Sequence, residues 1–310
     1  MSNQLQYLRK INLIVADKNG DGLDLSQFRI VFDVKLSDSQ TPNTAKVRVY
    51  NLSQTVASQI QQEFTSITLQ AGYDSNFGTI FAGSIKQVVY GSENNVDTFI
   101  DIRASDGDVA YNYAFVNSTL GGGASQKDIV TASLSPMQQS GIGLGYVDDT
   151  DSKKLPRSKV MYGMSRDYLR KSAINTNTNW SIQNGNYQSV KQTGILPNQA
   201  VVLNSTSGLV YTPNQTNDGI IAKCLLNPNI KIASSIQINQ NDIQAQLIED
   251  QPTSGSTQAS SPSPIAADGF YRVLLAEHNG DTRGNDWYTT ITGLSMDKTS
   301  ATNSQVAQNG

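Results

Sequence analysis

Apolar and polar positions alternate along much of this chain with the period of two that marks β-strands buried on one face. The clearest run is Phe28, Ile30, Phe32, Val34 and Leu36, and positions 8–15 alternate before it. Residues 5–37 therefore predict a long hairpin that turns over 17–22. Further strands are expected at 45–50, 67–73, 78–90 and 96–104, with a short helix at 54–62 capped by Ser53. Alternation returns in the last third at 222–226, 230–238, 269–275 and 287–291. Both sets run in one order: a strand, an Asn (Asn51, Asn227), a second strand, then a hairpin. The hairpins close on polar turns at 92–95 and 278–286. Laying Ala45, Lys46 and Val47 on Ala222, Lys223 and Cys224 sets the copies 177 positions apart. A fixed order of elements repeated in this way predicts a duplicated β-barrel.

Between the copies the pattern changes. Gly121, Gly122 and Gly123 make a joint, and Ser125 with Asp128 reads as a capping box that opens a helix through Leu134. A second helix is expected at 166–174, following Ser165. Trp180 and Ile182, the Asn184-Gly185 pair and Tyr187 read as a hairpin on a type I′ turn. A strand follows at 200–203. The expected fold class is mainly β (α+β), with two related β-barrels and an α+β module between them. The expected boundaries are a first barrel over 1–109, the module over 110–203, and a second barrel over 204–297. A stretch rich in Pro and Ser at 240–267 interrupts the second barrel, and 298–310 reads as a mobile tail.

Composition sharpens this picture. Of 310 residues only 16% are charged, against about 25% in ordinary domains, and Asn, Gln, Ser and Thr fill the gap. Buried amides each need a partner, so such a chain suits thin β layers and wet subunit interfaces better than a thick enzyme core. A net charge of −3 and a pI near 5.2 oppose tight nucleic-acid binding, which needs several cations on phosphates. Passage of DNA past the protein stays compatible. Cys224 is the single cysteine, which excludes intramolecular disulfides and reads as a packed core thiol. The first nine residues lack the apolar core of a signal peptide, and no apolar run approaches the roughly 20 residues that span a bilayer. Assembly in the cytoplasm without membrane binding is the expectation.

The chemical motifs read as structure. Asp17, Asn19, Asp21 and Gly22 match the opening of a calcium loop, but its twelfth position, which needs a bidentate Glu, is Phe28. A plain turn is expected. Gly141, Gly143 and Gly145 lack a following Lys-Ser/Thr and do not predict a phosphate cradle. His278, the only histidine, neighbours Asp281 and Asp286, yet no Gly-x-Ser-x-Gly elbow exists and the His falls in an expected polar turn. One His and one Cys cannot furnish a structural zinc site. Among Glu63, Glu93, Glu249 and Glu277 no pair stands out as the two carboxylates of a glycosidase. No catalytic, cofactor-binding or metal residue is expected, and the chain reads as no enzyme. Trp287, Tyr288, Tyr271 and Tyr211 are candidate interface anchors, with a core role as the plainer reading.

The strings Gly208-Leu209-Val210-Tyr211-Thr212-Pro213, Asp218-Gly219-Ile220 and Leu225-Leu226-Asn227-Pro228-Asn229-Ile230 resemble baseplate hub proteins of contractile-tailed bacteriophages. So do Gly269-Phe270-Tyr271-Arg272-Val273 and the run from His278 through Asn285, Asp286 and Trp287 to Tyr288. The resemblance spans most of residues 5–297, and its sharp motifs lie in the last third. It implies two tube-like barrels per chain and a homotrimer whose ring of six similar units joins the sixfold tail tube to the threefold central spike. It also implies a DNA channel, a place in the virion's tail baseplate, and partners in the tail tube protein, the spike, the tape measure protein and other baseplate proteins. Competing readings are a receptor- or carbohydrate-binding tail fibre module, a tail-associated peptidoglycan hydrolase, and the hub of a non-viral contractile injection system.

Overall fold

The computed structural model describes residues 8–148, 154–216, 219–238, 244–245 and 269–296. The segment expected as an insertion at 240–267, apart from 244–245, and the tail at 298–310 lie outside the described residues.

The first β segment comprises β1 (Arg9–Ala16), β2 (Gly22–Asp24), β3 (Ile30–Ser37), β4 (Thr44–Tyr50), β5 (Ser66–Tyr73), β6 (Asn76–Ser92) and β7 (Thr98–Ser105), with α1 (Gln54–Gln62) between β4 and β5. The Ser53 hydroxyl accepts the Val56 N–H at the start of α1, as expected of a cap. The helix buries Ala57 and Ile60. The long hairpin expected over 5–37 does not form. β1 pairs with the three-residue β2 and then with β5, whereas β3 pairs with β4 and with a strand far along the chain. Alternation marks the buried face of a strand and is silent on its neighbour.

A second block follows: α2 (Asp108–Tyr113), β8 (Phe115–Leu120), α3 (Gln126–Gln139), β9 (Gly143–Val147), β10 (Lys159–Met164), α4 (Ser165–Thr176), β11 (Thr178–Gln183) and β12 (Asn186–Lys191). The Ser125–Asp128 capping box is complete on both sides. Asn184 and Gly185 take φ of 51° and 76°, the left-handed pair that a type I′ hairpin requires. Helices α3 and α4 pack with β11 and β12 around Leu134, Met137, Leu169, Trp180, Ile182 and Tyr187, a core separate from that of the large sheet.

The remaining strands are β13 (Val201–Leu203), β14 (Asn214–Thr216), β15 (Gly219–Leu225), β16 (Ser235–Ile238), β17 (Gln244–Ala245), β18 (Phe270–Asp281) and β19 (Trp287–Ser295). Residues 230–234, expected as strand, are irregular and carry Ala233 at φ 62°, yet Ile230 and Ile232 are buried. The architecture is mainly β. Strands from both ends of the chain join in one fourteen-stranded sheet, along the order β17-β14-β15-β19-β18-β3-β4-β7-β6-β5-β1-β2, with β13 and β16 branching from β18. Leu13, Phe32, Val47, Ile102, Cys224, Tyr271, Trp287 and Ile291 belong to one continuous core beneath it.

Candidate assembly interface

The strand pairings reveal the repeat directly. β3-β4-β7-β6-β5 and β14-β15-β19-β18-β16 are neighbours in the same order, each pair antiparallel. The bulges agree as well. In β6 the register slips between Ile85 and Gln87, and in β18 between Val273 and Leu275. Six ladder pairs then follow in each hairpin before the turn. The long strands also lose their outer neighbours at one place: Ser84 is opposite Ser66 and Ile85 N–H donates to Thr65, as Arg272 is opposite Ser235 and Val273 N–H donates to Ser234.

This equivalence corrects the sequence alignment by two residues. Lys46 is opposite Arg103 and Ile221 opposite Thr292, while Gln87 and Leu275 lie beyond them. Lys46 thus corresponds to Ile221, and Val47 rather than Ala45 to Ala222. A slip of two keeps every side chain on its own face, so the periodicity could not detect it.

Beyond the bulge the copies part. β3 lies along β18 from Leu275 to Asp281, with Phe32 opposite Gly280, Val34 opposite His278 and Leu36 opposite Ala276. Phe32 meets Trp287 edge-on, centroids 5.4 Å apart, and the two rings fill the space a side chain at Gly280 would need. Along β6 no strand occupies that edge among the described residues. Its ladder with β5 ends at Ser84, and among the described residues Lys86–Ser92 is paired only on the β7 side. Tyr90, at the position of His278, is 42% exposed where His278 is 1% exposed.

His278 therefore lies in a buried strand and not in the expected polar turn, because β18 continues to Asp281. Its Nδ1 is 2.9 Å from the Thr289 hydroxyl, which accepts the Asn227 N–H at 3.1 Å and so has its proton free for the imidazole. Burial pushes the His278 pKa down to about 4. Asp281 instead pairs with Arg29, 2.8 Å away, and among the described residues no carboxylate is hydrogen-bonded to the ring. Asp17 accepts the Asn19 and Asp21 N–H groups, which makes the calcium-like string a turn. Cys224 is a core thiol that donates toward Thr289 O, and burial pushes its pKa up to about 12.

Of the four aromatic anchors, Trp287 and Tyr271 are core residues. The Trp287 indole N–H reaches Gly72 O at 3.3 Å, and Arg9 donates to the carbonyls of Gly284 and Asn285 in the β18–β19 turn. Asn76 exchanges hydrogen bonds with Asn227 and Asn229. These contacts curl the outer strands of the first segment back onto the second. Tyr211 is 63% exposed and Tyr288 partly so, with the Lys223 ammonium 5.5 Å and 4.4 Å from their ring centres.

The face of the sheet turned from the core is polar and mixed in sign. Asn279, Asp33, Lys46, Arg103 and Gln87 form one row across five strands. Lys35 faces Glu277, and Arg48 is clamped between Asp101 at 2.6 Å and Glu93. A buried polar seam, which the sequence did not suggest, attaches the helical block to this sheet. Arg272, 3% exposed, bonds Asp38 at 2.7 Å and Gln192 O, and Asn179 donates to the same carboxylate. Burial pushes the Asp38 carboxyl up and Arg272 pulls it back. Asp106 is fully buried and accepts the Gly185 N–H at 2.8 Å, and the cost of desolvation raises its pKa to about 6.

The family model of the baseplate hub gp41 matches residues 43–243, more than half of the chain. The chain belongs to the baseplate hub gp41 family. No curated protein sequence matches it. Among solved structures, the 43 kDa tail protein of prophage MuSo2 from Shewanella oneidensis superimposes with a TM-score of 0.59 at 8% identity, over 95% of this chain and 99% of that one. A tail protein from Neisseria meningitidis MC58 gives 0.58 at 7% identity, covering 93% and 96%. An E. coli component of the type VI secretion system, described as similar in structure to the T4 bacteriophage tail proteins gp27 and gp5, gives 0.53 at 9% identity, covering 96% and 79%. These are likenesses of fold. It is membership in the baseplate hub family that makes the chain a structural phage tail component.

Proposed function

We propose that this chain forms, as a homotrimer, a non-enzymatic ring that joins the sixfold tail tube to the threefold central spike and encloses the DNA channel. The duplicated strand order within one sheet carries this reading: three chains with two equivalent units each present six similar edges to a sixfold partner. A heterologous interface closes into a ring when its rotation fits. The division into a first tube-like barrel over 1–109, an α+β module over 110–203 and a second barrel over 204–297 belongs to this reading. The polar face of the sheet supplies the channel wall. Cations on this face lie among carboxylates, Lys35 beside Glu277 and Arg48 between Asp101 and Glu93, which suits passage without tight retention. The tail tube protein and the central spike are the direct partners, the tape measure protein and other baseplate proteins the further ones, and assembly takes place in the host cytoplasm before the hub enters the virion. The likenesses to phage tail proteins and to a type VI component support a tube-to-spike role. Mass measurement in solution and negative-stain imaging with the tube protein test it. Threefold rings about as wide as the tube are expected, and a chain that stays monomeric and leaves the tube end bare overturns it.

A further inference from the structure

The difference between the two copies of the repeat identifies what the bare edge of β6 is for. We propose that the outer edge of β6 from Lys86 to Ser92 takes up, as an added antiparallel strand, the 209–216 segment of a second copy of this chain. This rests on the reading of the chain as a ring-forming hub and names the surface by which one copy meets the next.

The occupant follows from the chain's own pairing. In the second copy of the repeat, the edge of β18 beyond its bulge is covered by β3, the first strand of the other copy. The strand that corresponds to β3 is β14 with the residues before it. β3 pairs with β4 as β14 pairs with β15, and Leu209 makes a bridge to Cys224 farther along the same edge. If β18 receives the first strand of one repeat within the chain, β6 receives the first strand of the other repeat from a neighbour. An exposed strand edge with unpaired peptide groups is a ready template for such addition.

The register is fixed by the same equivalence. Asn279 faces Asp33 across β18 and β3. Gly91 corresponds to Asn279 and Asn214 to Asp33, so Gly91 of one copy faces Asn214 of the next. Exposure agrees with a covered surface: Val89 is 41%, Tyr90 42% and Tyr211 63% exposed, large apolar side chains on the two elements that would meet. The outer edge of β14 carries only β17, through two parallel pairs at Asn214 and Gln215. The incoming β6 edge would replace those two pairs.

The test uses the full chain. Val89→Cys and Thr216→Cys, which face each other in this register, are made as separate variants, mixed and oxidised; the native Cys224 is buried and silent. A cross-linked pair is expected in the mixture and not in either variant alone, because the two edges differ. Tyr90→Lys in the Val89→Cys background should lower the linked fraction about tenfold, since a lysine on a strand edge opposes pairing, with an unchanged melting profile. If Val89→Cys does not fold, Tyr90→Cys with Gln215→Cys, the next facing pair, takes its place. Val160→Cys, 70% exposed on β10, replaces Thr216→Cys as the control. Oligomers that form while Val89→Cys links Thr216→Cys no better than this control overturn the edge assignment and leave the hub reading intact. Absence of both oligomers and links overturns the proposal, and binding to the tube end then decides the hub reading separately.

Discussion

The two copies of the repeat share strand order, hand of pairing and the position of a bulge, yet one holds a buried imidazole where the other exposes a tyrosine. The difference comes from outside the copy. β3 crosses from the first segment to seal β18, and with it come Phe32, Val34 and the closed space around His278 and Trp287. β6 has no such cover among the described residues. Identical backbone patterns thus acquire different cores according to what lies beside them, and equivalent positions become paired experiments.

The widest contrast is expected between Trp287 and Thr98, which start the equivalent strands β19 and β7. Trp287→Ala removes a fully buried indole and should cost about 3–5 kcal/mol in chemical denaturation, whereas Thr98→Ala should stay within about 0.5 kcal/mol. Equal losses at both sites would mean that the sealed and open edges do not differ energetically. Arg272 and Ser84 form the next pair. Arg272→Met leaves Asp38 charged and buried and should cost about 3 kcal/mol, while Ser84→Ala should be nearly neutral; a stable Arg272→Met would show that the seam is not held by this ion pair.

A third contrast is read by pH. His278 has a folded pKa near 4 against 6.5 unfolded, so the unfolded chain binds the extra proton. Its contribution is complete above pH 6.5 and is lost as pH falls toward 4, up to about 3 kcal/mol. Asp106 has the opposite sign. Its folded pKa near 6 lies above the 3.8 of the free carboxyl, so stability declines as pH rises from about 4 to 6 and remains lower above it, by about 3 kcal/mol. Over this window the two slopes oppose each other. His278→Gln should expose a decline with rising pH, and Asp106→Asn should expose a rise while gaining about 1–2 kcal/mol at neutral pH. Parallel stability curves for both variants would refute the assignment. The smallest effect is expected at Tyr90, where Tyr90→Lys should shift the stability of the isolated chain by less than about 0.5 kcal/mol.

Much of the local structure was legible in the residues. Ser53, the Ser125–Asp128 box and Asn184-Gly185 act through neighbours within a few positions, and each forms as read. Cys224 sits in the core as its apolar strand suggests. His278 was misplaced because polar residues from 278 to 286 resemble a turn, while Val34, which buries it, lies 244 positions away. The polar seam escaped notice for the same reason: Asp38, Asn179, Gln192 and Arg272 have nothing in common until the chain is folded.

By itself the sequence determined the mainly β class, the duplication and the faces of the strands, because period-two alternation and turn chemistry are local and survive any choice of neighbour. The tertiary structure decided the register, the passage of β3 from one copy to the other, and which edge was sealed and which, among the described residues, was left bare. A two-residue slip preserves the alternation and an edge has no residue signature of its own, so both are settled only by which peptide groups find partners across the sheet.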